Sequence, residues 1–105
     1  MKIFIGANHR GFELKKNMIC AFSKQGHEIA DVGTYNAEES CDYPHFSLEV
    51  AKRVAQENGS RGILICMTGI GHSIAANKVP GAYAALCYNK EAAKLSREHN
   101  NSNIL

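Results

Sequence analysis

The sequence predicts an α/β fold: a three-layer domain with helices on both faces of a parallel sheet of about five strands. Three observations carry that prediction. Short apolar runs alternate with stretches of helical periodicity along the chain. The run at residues 63–66 is continuously apolar rather than alternating, as a strand covered on both faces must be. Glycines stand at the switches between the two kinds of segment.

Taken in order, Ile3, Phe4 and Ile5 form a first strand ending at Gly6, and a polar loop follows at residues 7–11. Residues 12–25 carry apolar side chains at Leu14, Met18, Ala21 and Phe22, which is helical spacing, and Gly26 suits the position just past that helix. Residues 28–32 read as a second strand with Gly33 and Thr34 as its exit. A polar loop at 34–45 leads into a helix from about Pro44 to Asn58, with Phe46, Val50, Ala51, Val54 and Ala55 on one side. Proline is tolerated in a first helical turn because its missing N–H has no partner there. Residues 63–66 form the third strand, and a helix follows the turn at Gly69–Gly71 until Val79, Pro80 and Gly81 break it. Residues 82–87 read as a fourth buried strand. Asn89 caps a helix reaching about Glu98, with Ala92, Ala93 and Leu95 on its apolar face, and residues 103–105 begin a fifth strand.

The chain has 105 residues, enough for one domain and one core, with 12 Lys and Arg against 10 Asp and Glu. Lys15 and Lys16, Lys52 and Arg53, and Lys94 with Arg97 fall where solvated helix faces are expected, so there is no basic stripe and nucleic acid is not the expected partner. The apolar stretch near the N-terminus is too short for a membrane span or a signal peptide. Cys20, Cys41, Cys66 and Cys87 form no Cys-x-x-Cys pair and no Cys/His spacing typical of zinc. Their pattern fits a reducing, cytoplasmic location better than a secreted disulfide scaffold.

In an open α/β sheet, ligands bind beyond the carboxyl ends of the strands. The loops at 7–11 and 67–72 meet there. The turn Thr68, Gly69, Ile70, Gly71 is neither a dinucleotide fingerprint nor a Walker loop. It reads either as a tight strand-to-helix connection or as a cradle whose N–H groups at 69–73 face an oxyanion or phosphate. Cys66, at the strand end, reads as a packed core thiol or as a nucleophile or base activated by the helix that follows. His9 and His99 sit in polar contexts near the site loops and are candidates for acid–base or phosphate-binding roles. His27, His45 and His72 have weaker claims, and Tyr43 suits packing as well as substrate contact.

Together these residues resemble the ribose-5-phosphate isomerase B family, which includes isomerases of allose and galactose phosphates. The resemblance runs through Gly6, His9 and Gly11–Lys15, then Asp31 with Gly33–Tyr35, then Asp42, Tyr43 and Pro44. It continues through 61–66, Thr68–Gly71, Ser73–Lys78, 84–87 and Leu95–Asn100. It implies a Rossmann-like domain, usually a homodimer or homotetramer with active sites shared between subunits, acting on a sugar phosphate without metal or organic cofactor. The implied reaction is aldose–ketose isomerisation through an enediolate, most simply ribose 5-phosphate to ribulose 5-phosphate. By the same resemblance Cys66 is the proton-shuttling base. Thr68 and His99 assist ring opening, with His99 coming from the partner subunit. The backbone of Gly69, Ile70, Gly71, His72 and Ser73 stabilises the enediolate oxygen. His9 lies on the phosphate side, while Tyr43 and Asn100 touch substrate. The alternatives are a non-catalytic sugar-phosphate-binding relative and an isomerase for a six-carbon sugar phosphate.

The chain departs from the family pattern in three places. Asn8 stands where an Asp binds sugar hydroxyls, keeping the shape but losing the charge. Met67 stands where glycine is usual; a positive φ there would cost roughly 1–2 kcal/mol, without it the side chain would still crowd the pocket, and a side chain packed outward would have no consequence. The C-terminal helical segment that brings arginines to the phosphate does not follow residue 105, which makes Arg10 a candidate phosphate ligand beside His9 and leaves a sheet edge that favours oligomerisation.

Overall fold

A computed structural model describes residues 1–35 and 43–105. Strand β1 (Lys2–Ala7) lies at the centre of a three-stranded parallel sheet, between β2 (Glu28–Gly33) and β3 (Arg61–Ile65). Ile3 pairs with Ile29 on one side, and Ile5 pairs with Ile63 on the other. Helix α1 (Phe12–Lys24) connects β1 to β2, α2 (Tyr43–Gln56) precedes β3, and α3 (Ile70–Ala76) and α4 (Lys90–Asn100) follow it. Among the described residues no helix is long and apolar enough to cross a membrane.

The period of two along each strand separates the two cores. Ile3, Ile5 and Ile63 point to α1 and pack with Met18, Ile19 and Phe22. Phe4 points to the opposite face and joins Val50, Ala51 and Val54 of α2, Ala76 of α3, Ala82 and Ile104. The expected three layers are therefore present.

Two details differ from the sequence reading of the sheet. Residues 82–87 do not form a strand, and neither do 103–105. Single parallel bridges join Ile104 to Gly62 of β3 and to Ala84, so Ile104 is wedged between them. The side-chain amide of Asn77 explains part of this: its Nδ2 donates to the Ala84 carbonyl at 2.9 Å and its Oδ1 accepts from the Ala84 N–H at 2.8 Å. A side chain thus holds Ala84 where a neighbouring strand would otherwise do so.

Lys15 corrects the expectation of a solvated face. Its side chain is 1% exposed and forms an ion pair with Asp31, whereas Leu14 and Ala21, assigned to the apolar side, are exposed. The buried stripe of α1 is Lys15, Met18, Ile19 and Phe22, at i, i+3, i+4 and i+7.

Candidate active site

Cys66 is the first residue beyond β3, half-buried, and Thr68 and Gly69 complete the turn into α3. Gly69 has φ 79°, the left-handed region that favours glycine, and this lets the chain reverse over the thiol. Its N–H donates to Cys66 Sγ at 2.9 Å. The next N–H, of Ile70, donates to Thr68 Oγ1 at 3.2 Å. The first groups of the helix N-terminus are thus spent on the cysteine and the threonine that open it. Ser73 N–H is already bonded to the Gly69 carbonyl, and its hydroxyl donates to Ile70. The N–H cradle expected across 69–73 is consequently narrower than the sequence suggests, with Gly71 at its open first turn.

Met67 is 75% exposed, its backbone is not in the positive-φ region, and it lines the same cavity as Cys66. The reading with a strained backbone is overturned, while the side chain stands at the cavity.

The loop after β1 is fastened to the same place. Asn8 N–H donates to the Ile65 carbonyl at 3.1 Å, and Asn8 Oδ1 accepts from Arg10 and Gly11 N–H groups, closing a short 3-10 turn at His9–Gly11. Gly11 lies so close to β3 that a Cβ there would stand 2.6 Å from Ile65 Cγ2. This approach sets the Asn8–His9 loop beside Cys66. The side-chain carbonyl oxygen of Asn8 is committed to the turn and shapes the loop; Arg10 is exposed.

Cys66, Thr68, Gly69, His72 and Ser73 line one cavity of about 300 Å³, with Met18, Leu86 and Ile104 among its apolar lining. Cys87 lines it as well. His99 and Asn100 do not. They are exposed at the last turn of α4, away from this lining. Ile70 is also largely exposed. The side chain of Tyr43 lies outside the described residues. Among the described residues no group of His, Cys, Asp and Glu is arranged to hold a metal ion.

His72 is not a surface histidine. It is 1% exposed, hydrogen-bonded through Nδ1 to the buried Ser47 hydroxyl of α2. Burial pushes its pKa below the ordinary histidine value, and a hydrogen bond with the Ile65 backbone works in the opposite direction. Sequence reasoning missed Ser47. A signal was present: Ser47, Val50, Ala51 and Val54 occupy i, i+3, i+4 and i+7, so the serine sits on the buried stripe.

Comparison with known proteins follows this geometry closely. The family model described as Ribose/Galactose Isomerase matches residues 3–105. The chain is 41% identical to ribose-5-phosphate isomerase B of Mycolicibacterium paratuberculosis over 105 residues, 100% of this chain and 66% of that protein. It is 45% identical to ribose-5-phosphate isomerase B of Escherichia coli, over 99% of this chain and 69% of that one. The chain therefore spans about two thirds of the length of the curated relatives it matches. Among solved structures, ribose-5-phosphate isomerase B of Clostridium thermocellum superposes with a TM-score of 0.96 at 52% identity, over 100% of this chain and 70% of that one. The Mycoplasma genitalium enzyme with bound ribulose 5-phosphate superposes with a TM-score of 0.94 at 39% identity, over 99% of this chain and 69% of that one.

Proposed function

The chain belongs to the ribose/galactose isomerase family, and from that membership we propose that it interconverts ribose 5-phosphate and ribulose 5-phosphate. One observation carries the reading: Cys66 Sγ accepts the Gly69 N–H at the head of α3 and lines a cavity at the carboxyl end of β3. The thiolate is the form of a cysteine able to act as a base.

In the proposed reaction the ring opens, Cys66 removes the proton beside the carbonyl, and the resulting enediolate is reprotonated at the adjacent carbon. The electron pair of the broken C–H bond moves into the enediolate and returns when the same proton is delivered. Thr68 assists ring opening. Gly71 and its neighbours in the first turn of α3 offer N–H groups toward the developing oxyanion. His9 and Arg10, on the loop fastened beside Cys66, face the phosphate. His99 and Asn100 are exposed on α4, which suits groups that complete the site of a second subunit, so the reading includes a homodimer or homotetramer. Residues 1–105 act as one sugar-phosphate isomerase domain, in the cytoplasm.

The test is turnover of ribose 5-phosphate by the purified protein, compared with six-carbon sugar phosphates by kcat/KM. Cys66→Ala should retain the fold and lose turnover. Sugar-phosphate binding without turnover in the wild type would instead favour a non-catalytic role.

A further inference from the structure

Ser47 and His72 are both buried and polar, and they come from different elements. Their hydrogen bond joins α2 to α3. Ile65, the last residue of β3, lines the same cavity as His72. The stretch carrying Cys66 and Thr68 runs between Ile65 and His72. His72 also lines the cavity that Cys66 lines. A hydroxyl–imidazole contact is directional in a way that an apolar contact at the same place is not, so it fixes orientation as well as distance.

We infer that Ser47 and His72 form a positioning pair for the isomerisation, holding the Cys66 thiol and Thr68 at the cavity through their hydrogen bond between α2 and α3. The kinetic part of the inference rests on the isomerase reading above. A neutral ring carries one donor and one acceptor, whereas a protonated ring has two donors and places a charge on a side chain that is 1% exposed. Burial already opposes that charge. Among the described residues, the ionisable groups on the surrounding elements are Cys66 and Cys87, which share the cavity, Arg61 on β3, and on α2 the exposed His45 and Lys52 and the Glu49–Arg53 ion pair. None of them contributes to the shift of the ring.

The experiment compares wild type with Ser47→Ala, His72→Asn and the double variant Ser47→Ala/His72→Leu, each checked for melting temperature. Removing both polar partners together avoids leaving one of them buried alone, so the double variant should stay folded. It should nevertheless lose about tenfold or more in kcat with KM within about twofold, the mark of misplaced chemistry rather than lost binding. His72→Asn, which keeps a polar group near the Nδ1 position, should recover part of kcat and flatten the acid-side loss of turnover, which lies below the ordinary histidine range because burial lowers the folded pKa. A second readout needs no turnover: the rate at which iodoacetamide alkylates Cys66, followed by peptide mass spectrometry, should change about threefold or more in the double variant. A double variant with wild-type kcat and a wild-type alkylation rate would overturn the inference. So would an unchanged acid limb in His72→Asn. If the wild type does not turn over ribose 5-phosphate, the isomerase reading fails, and the alkylation rate alone decides the pair: a changed rate supports it and an unchanged one overturns it.

Discussion

Lys15 Nζ lies 2.7 Å from Asp31 Oδ1, on a lysine side chain that is almost wholly buried. The same ammonium donates to the Thr34 carbonyl and lies 5.3 Å from the Tyr35 ring centroid. Asp31 in turn accepts from Gly33 N–H at 3.0 Å. This cluster ties α1 to the exit of β2. Because Asp31 remains partly open to water, the pair is less demanding than a fully buried one. Lys15→Ala should cost about 2–4 kcal/mol, since it removes the ammonium from both the Asp31 carboxylate and the Thr34 carbonyl. Lys15→Met keeps the aliphatic stem and should cost less. Urea denaturation measures both, and two variants as stable as wild type would show the cluster to be dispensable.

Gly11→Ala places a methyl group against Ile65, with the nearest atoms at 2.6, 2.8 and 2.9 Å. One of these is the Ile65 backbone oxygen, which also accepts from Asn8. The junction must open, at a cost of about 1–3 kcal/mol. Turnover should fall as well, because the residue displaced immediately precedes Cys66. A variant with normal stability and activity would mean that the loop can shift without moving the cysteine.

His72 should make stability depend on pH. Its folded pKa is lowered by burial, whereas in the unfolded chain it titrates near its ordinary value of about 6.5. As pH falls below that ordinary value, the unfolded chain takes up a proton that the folded one resists. Stability therefore declines as pH drops toward the lowered folded value and levels off below it; above the ordinary value this residue adds no slope. Denaturation curves of wild type and His72→Asn across this range should differ in slope, and parallel curves would contradict the assignment.

Asn77→Ala removes both hydrogen bonds to Ala84. The expected loss is about 1–2 kcal/mol, with faster amide exchange at residues 82–87. Asn77→Asp keeps an acceptor for the Ala84 N–H but sets a carboxylate against the Ala84 carbonyl, so it should not rescue. Full rescue by Asp would show that the donor bond is unimportant.

The layer order, the helix positions and the strand-end location of Cys66 were legible in the sequence because each is written in short-range periodicity. Residues missed or misplaced share a different character. Lys15 and Ser47 each stand at the first position of an i, i+3, i+4, i+7 stripe that is otherwise apolar. A polar residue there reads as an interruption until its distant partner is known, and Asp31 and His72 are distant in sequence. The short bridges at Ala84 and Ile104 were read as strands because buried apolar runs do not disclose how many backbone bonds they make. The grouping of Cys66, Thr68 and Ser73 follows from their adjacency in the chain. The attachment of Asn8 to Ile65, by contrast, depends on the parallel register of β1 and β3, which sequence alone does not fix.

The wedge at Ile104 makes assembly order differ from chain order. One wall of the cavity comes from residues 84–87, yet Ala84 reaches the sheet through Ile104, later in the chain. Closing that long-range contact carries a loop-closure penalty that helix formation does not. The thiol at Cys66 is thus made early in the sequence but sheltered late in folding, and a nascent chain presents it to solvent until the later segment has docked.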